Sequence, residues 1–389
     1  MMDPHQATEL AAALIAVADG DPVALTGTIE RAGAGEVAAL LTDEIAFRCG
    51  APAHGHEVAL RLDLLHEGKR WSRVLRCVPY RGVVAEPAGA VPVAATLTAR
   101  LDETARGLFG PGAERRAGWC EVAIDEAAWP EIIAADGIAP HELKSAVRRA
   151  VDTVLATRTR RPDLEELTVA TDCDKWGLVH WFAPHYDLHF RGLRERAVRV
   201  LEIGIGGYDD PDAGGESLRV WRRYFGRGLI FGLDVAAKGG LDAPRLTTLV
   251  GSQADRGRLR ALAARYGPFD VVIDDGSHVG EHVLTAFEEL FPHVRAGGCY
   301  AIEDLWSSYC PGYGSDETDP GAPGTSVALL KSLIDRIHHG EWGDGDEDTV
   351  GVGTAGLHVY HNLAVIEKGV NTEIAIAPRI RRAARGSSG

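Results

Sequence analysis

The chain changes its pattern of hydrophobic and polar positions partway along. Up to about residue 160, helical and strand spacings are mixed. The opening MMDPHQATELAAALIAVADG places apolar residues at helical intervals and predicts an amphipathic helix. Val58, Leu60, Leu62 and Leu64 alternate with Ala59, Arg61 and Asp63, the period-two pattern of a strand with one buried face. The HEGK stretch at residues 66–69 predicts a turn, and residues 71–78 predict the returning strand. HELKSAVRRAVDTVLAT, after Pro140, reads as a helix, and TRTRRPDLEEL as a basic, proline-containing linker.

From about residue 165, short apolar strands alternate with helices. VRVLEIGI, GLIFGLDV, RLTTLVGS, FDVVIDDG and GGCYAIEDL are five buried-strand candidates. SLRVWRRYF, RGRLRALAARYG and EHVLTAFEELFPHV are helices between them, an alternation that implies a doubly wound parallel sheet. GLHVY and LAVIEKG, joined by His361 and Asn362, predict a tight antiparallel hairpin at the sheet edge. That hairpin distinguishes the class I (Rossmann-like) methyltransferase sheet from the all-parallel dinucleotide-binding version. The expected fold class is therefore α/β. Residues 161–389 are expected to form this methyltransferase-type domain and residues 1–160 an α+β auxiliary domain, for oligomer contacts or for shaping the acceptor site.

Composition narrows the functional classes. The 389 residues carry 41 basic and 56 acidic side chains, a formal net charge of −15, which disfavours nucleic-acid and anionic-membrane partners. The cysteines Cys49, Cys77, Cys120, Cys173, Cys299 and Cys310 show no CxxC or zinc-like spacing and read as reduced thiols. The start lacks the basic region of a signal peptide and no apolar run is long enough to span a bilayer, so a cytoplasmic location is expected.

VLEIGIGGY carries the cofactor signal. Glu202 ends a strand, and Gly204 and Gly206 let the backbone turn tightly against a ligand. The third glycine of a dinucleotide fingerprint is replaced by Asp209, whose charge opposes a pyrophosphate but suits a sulfonium cofactor. These features point to S-adenosylmethionine. Asp234 is positioned for the ribose hydroxyls, and Gly251, Ser252 and Gln253 for the adenine. Ser217 reads as an N-cap whose hydroxyl also faces the cofactor.

Two further strands end in acid, Asp274–Asp275 and Glu303–Asp304. They are neighbours in the methyltransferase strand order, so the carboxylates converge, and a hard cation offsets their repulsion. An all-oxygen donor set indicates magnesium or manganese. His278, three residues after Asp275 and expected in the first turn of a helix, is placed to take a proton from an alcohol being methylated, or to serve as a fourth ligand or cap. His180, His185 and His189 lie in VHWFAPHYDLHF without the glutamate of a zinc motif and read as packed structural residues. The acidic run at Asp344, Asp346 and Asp348 fails as a calcium loop, because Thr349 and Ala355 stand where glycine and glutamate are required. Residues 306–325 are a candidate lid, and the tail RIRRAARGSSG a frayed end.

TDCDKWGLVHW, LEIGIGGY, GGESLRVWRRYF, FGLD, VVIDDGSHVGEH, FPHVRAGGCYAIEDLWSSY and the final hairpin together resemble the macrocin-type O-methyltransferases of macrolide biosynthesis. The resemblance covers most of residues 168–367. It implies magnesium on Asp275, Glu303 and Asp304, His278 as general base, Thr171 against the cofactor, and a homotetramer. It further implies a macrolide glycoside as substrate, methylated on the 2''-hydroxyl of a 6-deoxyallose. The GYDDPDA stretch is longer than in simpler relatives, and Tyr208 within it is expected beside the cofactor. The alternatives are the same site design acting on another secondary metabolite, a hydroxylating enzyme, or a non-catalytic assembly protein keeping the cofactor fold.

Overall fold

Helix α1 (Pro4–Val17) starts where Asp3 accepts the backbone N–H of Gln6, with Pro4 in the first turn. The same Asp-Pro device starts α2 (Pro22–Ala32), where Asp21 accepts from Val23 N–H. The computed structural model describes residues 2–50, 55–89, 91–112, 120–157, 159–315, 319, 322–342, 349–371, 376–377 and 380. The acidic run at 344–348, part of the candidate lid and the last nine residues of the tail lie outside these.

Helix α3 (Ala34–Arg48) leads to β1 (Val58–His66) and β2 (Lys69–Val78), a hairpin turned by Glu67 and Gly68, both with positive φ. β3 (Gly82–Pro87), β4 (Ala95–Arg100), α4 (Leu101–Phe109), β5 (Cys120–Ile124), α5 (Trp129–Asp136) and α6 (Pro140–Ala156) complete this half. The sheet order is β3-β2-β1-β4-β5, with β1 and β4 parallel. One expectation is corrected: Asp63 does not lie on a solvated face. It is fully buried, accepting from Ser72 Oγ at 2.7 Å and pairing with Arg70 at 3.1 Å. Nor is TRTRRPDLEEL a free linker. Arg161 donates to Glu195 at 2.8 Å, Leu164 is buried, and α7 (Leu164–Ala170) begins within the stretch.

The second half continues with α8 (Ala183–Phe190), β6 (Arg199–Ile203), α9 (Glu216–Tyr224), β7 (Leu229–Asp234), β8 (Leu246–Val250), α10 (Arg256–Tyr266), β9 (Phe269–Asp274), α11 (Gly280–Leu290) and β10 (Val294–Glu303). α12 (Ser326–Ile337), α13 (His339–Trp342), α14 (Thr349–Val352), β11 (Thr354–Tyr360) and β12 (Leu363–Lys368) follow. The strand order is β11-β12-β10-β9-β6-β7-β8, and β12 runs antiparallel to both its neighbours. Reversal of strand order falls between β6 and β9, which opens a crevice beyond their carboxyl ends. Tyr186, Phe190 and Trp221 pack on one face of the sheet, and Leu259, Phe287 and Leu290 on the other. This is the mostly parallel α/β sheet with an antiparallel edge hairpin that the strand pattern predicts.

The halves are joined through a buried ionic knot. Glu44 of α3 pairs with Arg48, with Arg222 of α9 at 3.4 Å, and with Arg245 just before β8. Arg245 is fully buried and also donates to the carbonyls of Phe225, Gly228 and Arg222. These guanidiniums satisfy the Glu44 oxygens, which offsets the cost of enclosing charge. Among the described residues, no helix is long and apolar enough to cross a membrane.

Candidate active site

The loop after β6 is where the sheet opens. Gly204 has φ +89°, and an added Cβ would stand 2.0 Å from the carbonyl oxygen of Asp275, so the β6 and β9 loops touch backbone to backbone. Asp234, ending β7, accepts Ile205 N–H and Ala236 N–H, each at 2.9 Å, and so pins the glycine loop. A groove at this point is lined by Asp172, Asp174, Gly204, Gly206, Ser217 and Asp275. A larger cleft on the N-terminal sheet, around His66, Arg70 and Arg100, shares none of these residues.

Several expected cofactor residues have definite protein partners. Ser217 is not the cap of α9: Gly215 holds that position, and Ser217 Oγ donates to Glu202 Oε2 at 2.7 Å. Glu202 is fully buried beneath the groove, where burial pushes its carboxyl up to about 7. Gln253 turns inward, donating to Asp274 Oδ1 at 3.1 Å and accepting Ser277 N–H at 2.7 Å. Its amide is committed to bracing the turn after β9. Burial likewise raises the Asp274 carboxyl to about 7, and Tyr300 and Gln253 enclose it. Ser252 Oγ accepts from Ala254 N–H in the turn after β8, and Gly251 N–H donates to Asp234 O at 2.8 Å. Thr171 ends α7, its hydroxyl donating to Leu167 O, directly before groove residue Asp172. Tyr208 is 93% exposed, on a loop residue with φ +47°.

The acids at the ends of β9 and β10 converge. One oxygen or nitrogen each from Asp275, His278 and Asp304 lies within 4.8 Å of the other two, and Glu202, Asp275 and Glu303 form a second such set. Asp275 belongs to both. His278 Nε2 stands 3.5 Å from Asp304 Oδ2. His278 lies before α11 and not in its first turn; Val279 is the cap. His278 at φ +56° and Asp304 at φ +52° are both left-handed, a costly conformation for side-chain-bearing residues that concentrates at functional sites.

Sequence reasoning missed three groups. Lys175 Nζ, 1% exposed, donates to Glu303 Oε1 at 2.7 Å and Asp275 Oδ2 at 2.9 Å, and lies 3.6 Å from Glu202. Burial opposes its charge, but Asp275, Glu303 and Glu202 outweigh burial and hold the ammonium well above the ordinary lysine range. Tyr186 OH donates to Glu303 Oε1 at 2.5 Å. His180, expected only to pack, stands 3.6 Å from Asp304 Oδ1. It is carried there by a short loop closed by the Trp176–Trp181 ring contact. Burial and the neighbouring Asp275 raise the carboxyls of both Glu303 and Asp304. The set as a whole is one of excess negative charge gathered at the end of a groove.

Comparison with known proteins shows the family. Residues 11–119 match a family model described as the MycE methyltransferase N-terminal region. The chain is 45% identical over 390 residues to 8-demethyl-8-(2-methoxy-alpha-L-rhamnosyl)-tetracenomycin-C 3'-O-methyltransferase of Streptomyces olivaceus, spanning 97% of this chain and 99% of that one. It is 46% identical to demethylmacrocin O-methyltransferase of Streptomyces fradiae, across 95% of this chain and 93% of that one. It is 43% identical to mycinamicin VI 2''-O-methyltransferase of Micromonospora griseorubida, across 89% and 87%. A solved structure of MycE methyltransferase in complex with Mg, SAH and mycinamycin VI superposes with a TM-score of 0.87, at 39% identity, covering 100% of both chains. With relatives this similar over nearly its whole length, the chain belongs to the macrocin-type family of sugar O-methyltransferases.

Proposed function

We propose that this protein transfers the methyl group of S-adenosylmethionine to a sugar hydroxyl of a macrolide or related glycoside, in a magnesium-dependent reaction with His278 as general base. The observation that carries the reading is the position of Asp275. It lines the groove that opens at Gly204 and Gly206, and it belongs to the acid set that includes His278 and Asp304. Cofactor and proton acceptor thus meet at one residue.

Gly204 and Gly206 give the cofactor close access to backbone, and Asp234, which holds the loop, is the residue proposed for its ribose. Asp275, Glu303 and Asp304 are the proposed magnesium ligands, and manganese suits the same oxygens. The fit has a local sign: Asp304 Oδ1 is buried and, among the described residues, has no hydrogen-bond partner. When bound, the metal supplies Lewis acidity that makes an alcohol easier to deprotonate. His278, whose Nε2 stands 3.5 Å from Asp304 Oδ2, then takes the hydroxyl proton. The freed oxygen forms its bond to the methyl carbon as the carbon–sulfur bond breaks, leaving S-adenosylhomocysteine. Much of the protein's work is alignment of these two groups.

The acceptor that the family motifs imply is the 2''-hydroxyl of a 6-deoxyallose on a macrolide. The relatives named above act on three different glycosides at similar identity, so a deoxysugar hydroxyl on such a glycoside is the acceptor class we propose. The assembly we propose is a homotetramer, with the N-terminal half shaping the acceptor site; size-exclusion chromatography with light scattering tests it, and a monomer at working concentration would reject it. The function is tested by transfer of labelled methyl from S-adenosylmethionine to mycinamicin VI, demethylmacrocin and rhamnosyl tetracenomycin, with and without EDTA. Transfer to one of them, blocked by EDTA and restored by magnesium, is expected. Full transfer in EDTA would overturn the metal's part.

A further inference from the structure

A second cluster of metal-ligating side chains lies away from the carboxylate centre, where α8 crosses the β11–β12 hairpin. His189 Nδ1 stands 3.1 Å from Glu367 Oε1, and His358 Nε2 stands 3.2 Å from the same oxygen. One ligand atom from each of the three lies within 4.8 Å of those of the other two. The two histidine rings are 4.4 Å apart. None of these groups has a part in the proposed methyl transfer. By strand register Glu367 sits opposite Cys299, four residues before Glu303 on β10, which separates the two clusters by about 13 Å along the strand.

A purely hydrogen-bonded reading accounts for only half of this. If His189 donates Nδ1–H to Glu367, Tyr360 OH, 2.9 Å away, donates to its Nε2. His358 Nε2 is then left over: it is buried and has no hydrogen-bond partner among the described residues, although a carboxylate oxygen is 3.2 Å away. The neighbouring backbone keeps this space open. A Cβ added to Gly356 would stand 3.1 Å from Glu367 Oε2 and 3.2 Å from His358 Nε2.

The geometry points to a binding site for a borderline divalent transition metal such as zinc or cobalt, held by His189 Nδ1, His358 Nε2 and Glu367. Tetrahedral metal bonds of about 2.0–2.1 Å place neighbouring ligand atoms roughly 3.3 Å apart, close to the two separations observed. Two imidazoles and one carboxylate select such a metal over magnesium, which prefers an all-oxygen shell. The outer partner is also in place, because His189 Nε2–H then donates to Tyr360 OH, fixing the tautomer that turns the Nδ1 lone pair inward. His185 stacks on the Tyr360 ring at 3.8 Å and holds it there. A metal in this position clips α8 to the hairpin. It lies one helical turn from Tyr186, which reaches Glu303, so the clip steadies the helix that touches the carboxylate centre.

The test is a cobalt titration of the full-length protein in excess magnesium, read by visible absorption and by metal content after gel filtration. One equivalent of cobalt with the intense bands of a four- or five-coordinate site is expected. It should persist in Asp275→Asn and be lost in Glu367→Gln and in His358→Ala, whose partly exposed ring makes the change tolerable to the fold. Cobalt absent from the wild-type protein, or retained at the same level by both His358→Ala and Glu367→Gln, would overturn the proposal. So would cobalt lost with Asp275→Asn alone.

Discussion

Lys175 Nζ donates to Glu303 Oε1 at 2.7 Å, and both side chains are almost wholly closed off from solvent. The same ammonium faces Asp275 and Glu202. It is therefore the internal counterion of the acidic centre.

Replacing it with an apolar side chain of similar length leaves the acids facing one another. We expect Lys175→Met to cost about 3–5 kcal/mol of stability, the usual consequence of breaking a buried pair from one side. Magnesium should recover more stability in this variant than in the wild type, because the cation takes over charge compensation. Calorimetric unfolding with and without magnesium checks both statements. Equal melting temperatures in the absence of metal would show that the fold does not depend on the ammonium.

For His278→Ala, turnover is expected to fall by about two to four orders of magnitude, as for loss of a general base. Affinity for S-adenosylhomocysteine, measured by calorimetry, should stay within a few-fold. Unchanged turnover would place the base elsewhere, with His180, also facing Asp304, the next to test.

Gly204 and Gly206 separate packing from backbone strain. Both have positive φ, but only Gly204 has the Asp275 carbonyl oxygen where its Cβ would go; nothing lies within 4 Å of the Gly206 position. Gly206→Ala should cost roughly 1–2 kcal/mol from left-handed strain alone. Gly204→Ala must also push the β9 turn aside, so it should lose metal and cofactor binding together. Thermal unfolding and calorimetric binding distinguish the two; equal losses would contradict the backbone contact.

Glu44 sets an acid limit on stability. Burial alone would raise its carboxyl, but Arg245, Arg48 and Arg222 prevail and hold it well below the ordinary glutamate range. A depressed folded-state pKa gives stability that is present above the unfolded value and lost as pH falls through the folded one. Glu44→Gln should therefore be markedly less stable than the wild type near neutral pH. The difference should shrink as pH drops below about 4, where the unfolded glutamate takes up its proton. Denaturant unfolding across that range checks the sign; a gap that widens in acid would be inconsistent with the ionic knot.

Much of the catalytic half was legible because buried parallel strands write themselves as continuous apolar runs. All five such runs form strands, and His361–Asn362 turns the edge hairpin as its length requires. The convergence of acids on neighbouring strand ends follows from strand order, with Asp275 drawn to Asp304 in one set and to Glu303 in another. Lys175 was invisible for the opposite reason. It sits among charged residues in TDCDKW, outside any periodic segment, and its burial arises from a loop folding across two strand ends. His180 was misread by its neighbours: the aromatic stretch suggested a packed structural residue, but α8 starts only at Ala183, leaving His180 on the loop that meets Asp304. The cap expected at Ser217 lies two residues earlier, since left-handed Gly215 and not serine starts α9. In the N-terminal half, the alternation in β1 showed the hairpin. The parallel partnership of β1 with β4 joins segments with no local signal to link them.

The contact of α1 with β8 has a bearing on assembly. Strand β8 ends the larger sheet, and an unprotected end strand invites pairing with another chain. Thr8 of α1 donates to Ala243 O and accepts Arg245 N–H at the approach to β8, so the N-terminal half lies against that margin. Among the described residues, the opposite margin, β11, has no neighbouring strand on its outer side within the sheet. The N-terminal half is thus a one-sided guard of the larger sheet, covering its β8 margin.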